Sequence, residues 1–154
     1  MITPAQKSWV LITAAQAYSA QHIYPRMAAC EAALESGFGG SMLAKMGNNL
    51  FGMKQHSHVT FGTVSLPTEE FLDGQWQRVN ADWVKYPTLQ DCFADRMATL
   101  QRLQDAYPHY QAALTAPDAQ TYITEVSKTW STDPNRAAKV QAIYDEAFPP
   151  AVAA

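Results

Sequence analysis

A single glutamate, Glu35, lies where an apolar helical segment runs into glycines. Residues 27–34 before it are mostly small and apolar, and Gly37, Gly39 and Gly40 follow it. Glycines end a helix and remove side-chain bulk, so a large ligand can approach the carboxyl group there. Apolar surroundings disfavour the ionised form of a carboxyl group and raise its pKa. The pattern therefore indicates a carboxylic acid that keeps its proton near neutral pH, as a general acid must.

A structural role is the alternative for Glu35. From helical periodicity alone, the residue could be an ordinary helix-end carboxylate in a salt bridge. The helix dipole disfavours a negative charge near a helix C-terminus, however, and Glu35 stands two residues before Gly37. This position favours the chemical interpretation.

Further motifs accompany this glutamate. Residues 35–40 have the sequence Glu-Ser-Gly-Phe-Gly-Gly, and residues 49–54 have the sequence Asn-Leu-Phe-Gly-Met-Lys. Together they resemble the signature of glycoside hydrolase family 73, the N-acetylglucosaminidases of bacterial cell walls, including the flagellar rod-associated one. Residues 68–74 resemble the family's Thr-x-Glu-Tyr-x-x-Gly hairpin, and residues 131–134 resemble part of its Tyr-Ala-Thr-Asp-Pro element. The resemblance covers nearly the whole chain.

The resemblance implies both a fold and an activity. The fold is α+β but mainly α, a lysozyme-like helical domain with a small β-hairpin lobe, and the cleft lies between that lobe and the end of the Glu35 helix. The activity is hydrolysis of the β-1,4 bond after N-acetylglucosamine in peptidoglycan glycan strands, with Glu35 protonating the leaving oxygen and with no metal or cofactor. A muramidase or lytic transglycosylase is an alternative, and so is a non-catalytic module that binds cell-wall glycans.

The same resemblance selects Glu70 as a second catalytic residue. Glu69 and Glu70 are adjacent in an extended segment, so their side chains point to opposite faces and only one can face a cleft. Two solvated strand carboxylates are the alternative. The role of Glu70 stays open between general base and electrostatic stabiliser, because the carboxyl separation decides retention or inversion and because the substrate's own acetamido oxygen can attack the sugar instead.

Four residues are predicted to bind substrate: Phe38, Asn49, Phe51 and Trp130. Phe38 could instead only cover the helix end, and Phe51 could be a core anchor. Trp130 stands where the family usually carries tyrosine; its indole keeps a stacking face for a sugar but loses the phenolic oxygen. Arg136 also replaces a frequent aromatic residue of the family, which would alter contact with the glycan or its peptide stem.

Helix and strand signals surround these residues. Helices are predicted from the Thr3 cap to about residue 19, from Pro25 to the Gly37 stop, over residues 41–46, after the Thr88 cap, around residues 110–114 and after Pro117. Asp133, which precedes a proline, is predicted to cap the last helix. Residues 60–86 alternate in polarity around Leu72-Asp73-Gly74-Gln75, which predicts a β-hairpin.

Composition limits the remaining possibilities. The 154 residues suit a single domain over residues 1–148, with a flexible tail over residues 149–154. The net charge is -3 and basic residues form no run, so we expect no nucleic acid partner; no apolar run suits a membrane span. Cys30 and Cys92 are predicted to be buried free thiols, and the four histidines to be exposed loop residues rather than metal ligands. We expect a monomer that acts at the cell wall, in the periplasm or outside the cell, although the first helix lacks a convincing signal-peptide pattern.

Overall fold

Seven helices and a two-stranded antiparallel sheet make up residues 1–151, the part of the chain that this computed structural model describes. Of the predicted tail over residues 149–154, residues 152–154 lie outside the described residues. The mainly helical α+β fold with a hairpin lobe is confirmed. The elements are α1 (Pro4–Ser19), α2 (Pro25–Ser36), α3 (Met42–Gly47), β1 (Thr63–Leu72), β2 (Gln75–Val84), α4 (Leu89–Leu103), α5 (Pro108–Leu114), α6 (Ala119–Trp130) and α7 (Arg136–Ala147).

Local signals set the ends of the helix that carries Glu35. Pro25 opens α2, and Gly37 ends it in the left-handed region at φ 59°. The hydroxyl group of Ser36 donates to the carbonyl oxygen of Ala32 over 2.6 Å and accepts from the backbone N–H of Gly39 over 2.9 Å. These bonds close the last turn of α2, so the position of Glu35 is fixed relative to the glycine segment.

Helix α2 lies between two hydrophobic clusters. One of its sides, which includes Met27 and Ala33, packs into a cluster with residues of α1, α4, α5, α6 and α7. Its other side, which includes Ala28 and Ala32, packs into a second cluster with α3, α4, the segment 50–53 and the end of the hairpin. Small side chains allow neighbours to approach closely on both sides. The central position of α2 explains why its charged residue Glu31 is also buried.

The hairpin projects from the second cluster. Its strands pair from Thr63 with Val84 to Leu72 with Gln75, and Asp73 and Gly74 form the turn with φ values of 51° and 77°. Two consecutive positive φ values are typical of the tight turn that an Asp-Gly pair favours. The predicted hairpin and its turn are therefore confirmed.

The start of the last helix differs from the sequence prediction. Asn135, not Asp133, is the N-cap residue of α7. The backbone N–H of Arg136 donates to the carbonyl oxygen of Asp133, so residues 133–136 form a separate turn ahead of the helix. The Asp133 carboxylate accepts from the backbone N–H of Asn135 over 2.9 Å and binds the Lys139 ammonium group over 2.7 Å.

The prediction of exposed loop histidines is wrong for His22. Its side chain is buried, and Nδ1 lies 2.7 Å from the carbonyl oxygen of Ile23. Burial, together with the positive charge of Arg96, lowers the pKa of His22 to about 4, so the imidazole is neutral at pH 7. Cys30 and Cys92 are buried free thiols, as predicted. No helix between residues 1 and 151 has both the length and the hydropathy to cross a membrane.

Candidate active site

Glu35 lies in the wall of a surface pocket at the end of α2. The pocket has a volume of about 260 Å³, and its lining includes Phe51, Trp130, Asp133 and Arg136. The Glu35 side chain is 19% exposed. A ligand in the pocket can thus reach the carboxyl group, while most of the surface of the Glu35 side chain is shielded from water.

The carboxyl group of Glu35 contacts two side chains. Its Oε1 atom accepts hydrogen bonds from Nε of Arg136 over 3.1 Å and from Nη2 of the same guanidinium group. Its Oε2 atom lies 3.4 Å from Nε1 of Trp130. Burial raises the pKa of Glu35 above its usual value; the Arg136 guanidinium opposes this effect and the Glu31 carboxylate adds to it. Both interpretations from the sequence thus describe part of the environment, since Glu35 is in a salt bridge and is also a shielded acid.

A buried charge cluster, made of Glu31, Arg96, Arg136 and Tyr122, lies on the interior side of this site. Glu31 is 0% exposed and binds Arg96 through two parallel hydrogen bonds of 3.0 and 2.8 Å. It also accepts from Nη2 of Arg136 over 2.6 Å and from the hydroxyl group of Tyr122 over 2.6 Å. Although burial alone would raise the pKa of Glu31, the two guanidinium groups hold it well below the usual range. Glu31 is therefore ionised at neutral pH.

The aromatic wall of the pocket rests on one of these arginines. The guanidinium carbon of Arg96 lies 4.2 Å from the ring centroid of Trp130 and 4.5 Å from that of Phe51. The two rings pack edge to face at 6.1 Å. A buried cation over an aromatic face is an attractive contact, so the cluster fixes the wall as well as the acid.

Glu70 lies apart from this pocket. It is on β1, where its carboxylate accepts from Nζ of Lys54 over 2.6 Å. Its side chain is 34% exposed, and it is not among the residues that line the Glu35 pocket. Within residues 1–151, no hydrogen bond or salt bridge joins Glu70 to Glu35.

The four predicted substrate-binding residues fall into two groups. Phe51 and Trp130 line the pocket beside Glu35. Phe38 packs edge to face on Trp9 at 6.1 Å. Asn49 is 1% exposed, and its side-chain amide bonds Met53 and the carbonyl oxygen of Val84. These contacts favour a structural role for Asn49.

The charge cluster was not predicted from the sequence. Glu31 precedes Glu35 by one helical turn and so lies on the same side of α2, which is a signal that the sequence contains. Nothing local marks Arg96 as its partner, however, because 65 residues separate the two. In the part of the chain that is described, no group of three or more His, Cys, Asp or Glu side chains could hold a metal ion.

Comparison with known proteins places this site in a family. A family model described as mannosyl-glycoprotein endo-beta-N-acetylglucosaminidase matches residues 12–148. The catalytic domain of the autolysin Auto from Listeria monocytogenes superposes with a TM-score of 0.80 at 25% identity, over 96% of this chain and 86% of that one. The lysozyme-like fold, together with these matches, defines a domain of the glycoside hydrolase class. The chain belongs to the glucosaminidase family, glycoside hydrolase family 73, as its motifs predicted.

Two relatives with similar sequences are longer than this chain. Exo-glucosaminidase LytG of Bacillus subtilis is 30% identical over 134 residues, which are 84% of this chain and 46% of that protein. A probable N-acetylmuramidase of Lactococcus lactis is 28% identical over 131 residues, 80% of this chain and 29% of that protein. The chain thus spans less than half the length of these two relatives.

Proposed function

We propose that this protein hydrolyses the β-1,4 bond after N-acetylglucosamine in peptidoglycan, with Glu35 as the general acid. The observation that carries the proposal is the environment of Glu35: a carboxyl group in a pocket wall, 19% exposed, with a pKa that burial raises. Such a group can hold a proton near neutral pH and deliver it to a glycosidic oxygen. The names of LytG and of the autolysin Auto support a cell-wall glycan as the substrate.

The proposed reaction begins with a sugar in the pocket beside Trp130 and Phe51. The half-buried Trp130 ring offers an apolar face for the sugar, and Phe51, which is 4% exposed, packs against that ring. The Glu35 proton moves to the leaving oxygen as the glycosidic bond breaks. A water molecule then attacks the sugar carbon, either directly or after the substrate's acetamido oxygen has bonded to that carbon, and the proton that the water loses restores the carboxyl group of Glu35. We propose that this takes place at the cell wall, in the periplasm or outside the cell.

Glu70 is the candidate for the second carboxylate. To act as a general base, Glu70 would have to leave its salt bridge with Lys54 and activate a water molecule from the hairpin lobe when substrate fills the cleft. If the substrate's acetamido group is the nucleophile instead, Glu70 has a smaller part as an electrostatic stabiliser. The effect of Glu70→Gln on kcat separates these roles, since loss of a general base costs about 100-fold or more.

The decisive experiment is digestion of purified peptidoglycan by the wild type and by Glu35→Gln. We expect the variant to fold, as judged by circular dichroism, and to lose at least about 100-fold in rate, because glutamine has no proton to donate. Glu69→Gln, which removes an exposed carboxylate on β1, is the control and should keep the wild-type rate. A Glu35→Gln variant with the wild-type rate would overturn the assignment.

The products distinguish the proposal from its rivals. Borohydride reduction followed by mass spectrometry of the released fragments should find reduced N-acetylglucosamine ends. A muramidase, which the name of the Lactococcus lactis relative favours, would leave reduced N-acetylmuramic acid ends, and a lytic transglycosylase would leave anhydro-muramic ends. A non-catalytic glycan-binding module would bind the cell wall and release nothing.

A further inference from the structure

Arg136 contacts both acidic residues of α2. Its Nε and Nη2 atoms both donate to Oε1 of Glu35. Nη2 also donates to Oε2 of Glu31 over 2.6 Å, and Nη1 donates to the hydroxyl oxygen of Ser127 over 2.9 Å. The Arg136 side chain is 2% exposed, and each of its three nitrogens has a partner. The guanidinium plane is therefore held rigidly against the carboxyl group.

The two carboxyl oxygens of Glu35 consequently differ. Oε1 faces two N–H groups of a permanent cation, and neither group can accept a hydrogen bond. Among residues 1–151, the single hydrogen-bond contact of Oε2 is a long one, with Nε1 of Trp130 at 3.4 Å. A proton on Oε1 would point at positively charged donors. The proton of a neutral Glu35 therefore belongs on Oε2, on the side of Trp130 and the pocket.

We propose that Arg136 is a positioning residue, which holds Glu35 so that Oε2 is the proton-donating atom, and that Glu31 permits this arrangement by sharing the Arg136 charge. The inference rests on the proposed role of Glu35 as the general acid. It concerns this chain in particular, because its motif carries Arg136 where the resemblance leads one to expect an aromatic residue.

The charges around Glu35 explain why Glu31 is needed. Arg96 and Arg136 bring two positive charges, and ionised Glu31 cancels one of them. Without Glu31 both charges would act on Glu35 and would hold it ionised, which a general acid cannot be. The other titratable groups in or beside the cluster are neutral or lie at its edge: His22 before α2, Tyr110 on α5, Tyr122 on α6 and Asp133 before α7.

The test compares Arg136→Gln with Arg136→Lys. Carbon-13 NMR of the glutamate carboxyl groups, with the Glu35 signal identified by its loss in Glu35→Gln, gives the pKa of Glu35 in each protein. We expect Arg136→Gln to raise this pKa by about one unit or more, since an adjacent opposite charge lowers a carboxyl pKa by about 1 to 3 units. The alkaline limb of kcat/KM should move up by the same amount, and kcat should fall about tenfold or more because the carboxyl group is no longer oriented.

Arg136→Lys is the matched control, because it keeps the charge but cannot give two N–H groups in one plane. We expect its Glu35 pKa and alkaline limb to stay near the wild-type positions while kcat falls. If Arg136 were merely structural, both variants would unfold at a lower temperature and neither the NMR titration nor the alkaline limb of Arg136→Gln would move. That result would overturn the proposal.

A measurement on the wild type covers the case in which Arg136→Gln does not fold. The Nε–H resonance of Arg136 should shift with pH at the same midpoint as the Glu35 carboxyl signal, and this shift should vanish in Glu35→Gln. Absence of the coupled shift would refute the positioning role. The NMR measurements do not depend on turnover. An active Glu35→Gln variant would therefore contradict the proposed role of Glu35 as the general acid, whereas the NMR titrations test the contact between Arg136 and Glu35 independently.

Discussion

The charged residues beneath the pocket show how a single side chain decides the state of another. Glu31 and Arg96 are both 0% exposed, which is costly for ions unless each is paired. Both guanidinium groups bind Glu31, and Arg136 also binds Glu35. Arg136 therefore orients Glu35, while burial raises the pKa of Glu35 so that it can hold a proton.

His22 borders the same cluster and makes the stability of the fold depend on pH. Its imidazole lies 3.3 Å from Nη1 of Arg96, and burial lowers its pKa from 6.5 to about 4. Between these values the unfolded chain binds a proton that the folded protein does not, so stability must fall as the pH drops from about 6.5 to about 4. The shift corresponds to about 3 kcal/mol at most.

We therefore expect urea unfolding of the wild type to give a free energy of unfolding that is lower by about 3 kcal/mol at pH 4 than at pH 7 on account of His22. His22→Gln should be less stable at pH 7 but should lose less of its stability on acidification. His58→Gln, at an exposed loop histidine, is the control and should keep the wild-type pH dependence. An unchanged pH dependence in His22→Gln would contradict this account.

At the scale of elements, the end of α2 depends on glycine backbone conformations. Gly37 and Gly39 have φ values of +59° and +76°, a backbone conformation that residues with a side chain rarely adopt. At Gly39 an added Cβ atom would also lie 2.7 Å from Nε1 of Trp9, whereas at Gly37 it would meet no atom within 4 Å. A side chain at Gly39 would thus cause both backbone strain and a clash, whereas a side chain at Gly37 would cause backbone strain alone.

Alanine substitutions should separate these two contributions. We expect Gly37→Ala to lower the free energy of unfolding by about 1 kcal/mol and Gly39→Ala by about 2 to 4 kcal/mol, measured by urea denaturation. Gly62→Ala is the control, because Gly62 has open space around it and no positive φ. Equal losses at Gly37 and Gly39 would show that Trp9 moves aside without cost.

At the scale of the whole molecule, Asn49 links the helical body to the hairpin. Its amide nitrogen donates to the carbonyl oxygens of Met53 and Val84, each over 2.9 Å, and its amide oxygen accepts from the N–H of Met53 over 3.0 Å. Val84 is the last residue of β2, so this side chain joins the segment after α3 to the base of the hairpin. Loss of the amide would leave buried backbone groups without partners.

We expect Asn49→Ala to cost about 3 kcal/mol of stability, because two or three buried polar groups lose their hydrogen bonds. The fraction that remains folded should keep a KM for peptidoglycan close to that of the wild type. Asn80→Ala, at an exposed position of β2, should change neither quantity. If Asn49→Ala were instead as stable as the wild type and had a raised KM, the sequence-based prediction of substrate binding by Asn49 would be correct.

Local backbone geometry is the part of this protein that its sequence determined. The Thr3 cap with Gln6, Pro25 at the start of α2, Gly37 at its end and the Asp73-Gly74 turn all act within a few residues of themselves. Their effects were therefore readable without knowledge of the fold. The motif around Glu35 was equally local, and it led to the correct family.

Only the tertiary structure decided what surrounds that acid. The carboxylate and guanidinium groups that pair in the cluster are separated by 65 residues or more along the chain, and nothing near Glu31 or Arg96 in the sequence marks either one as buried. Their burial depends on how α2, α4 and α7 pack, which no local pattern encodes. The sequence marked Arg136 only as a replacement of a family aromatic that would alter contact with the glycan or its peptide stem, and its bonds with Glu35 and Glu31 became visible only in the structure. Electrostatic interactions depend on distance in space rather than along the chain, and for this reason the environment of Glu35 was fixed only when the helices came together.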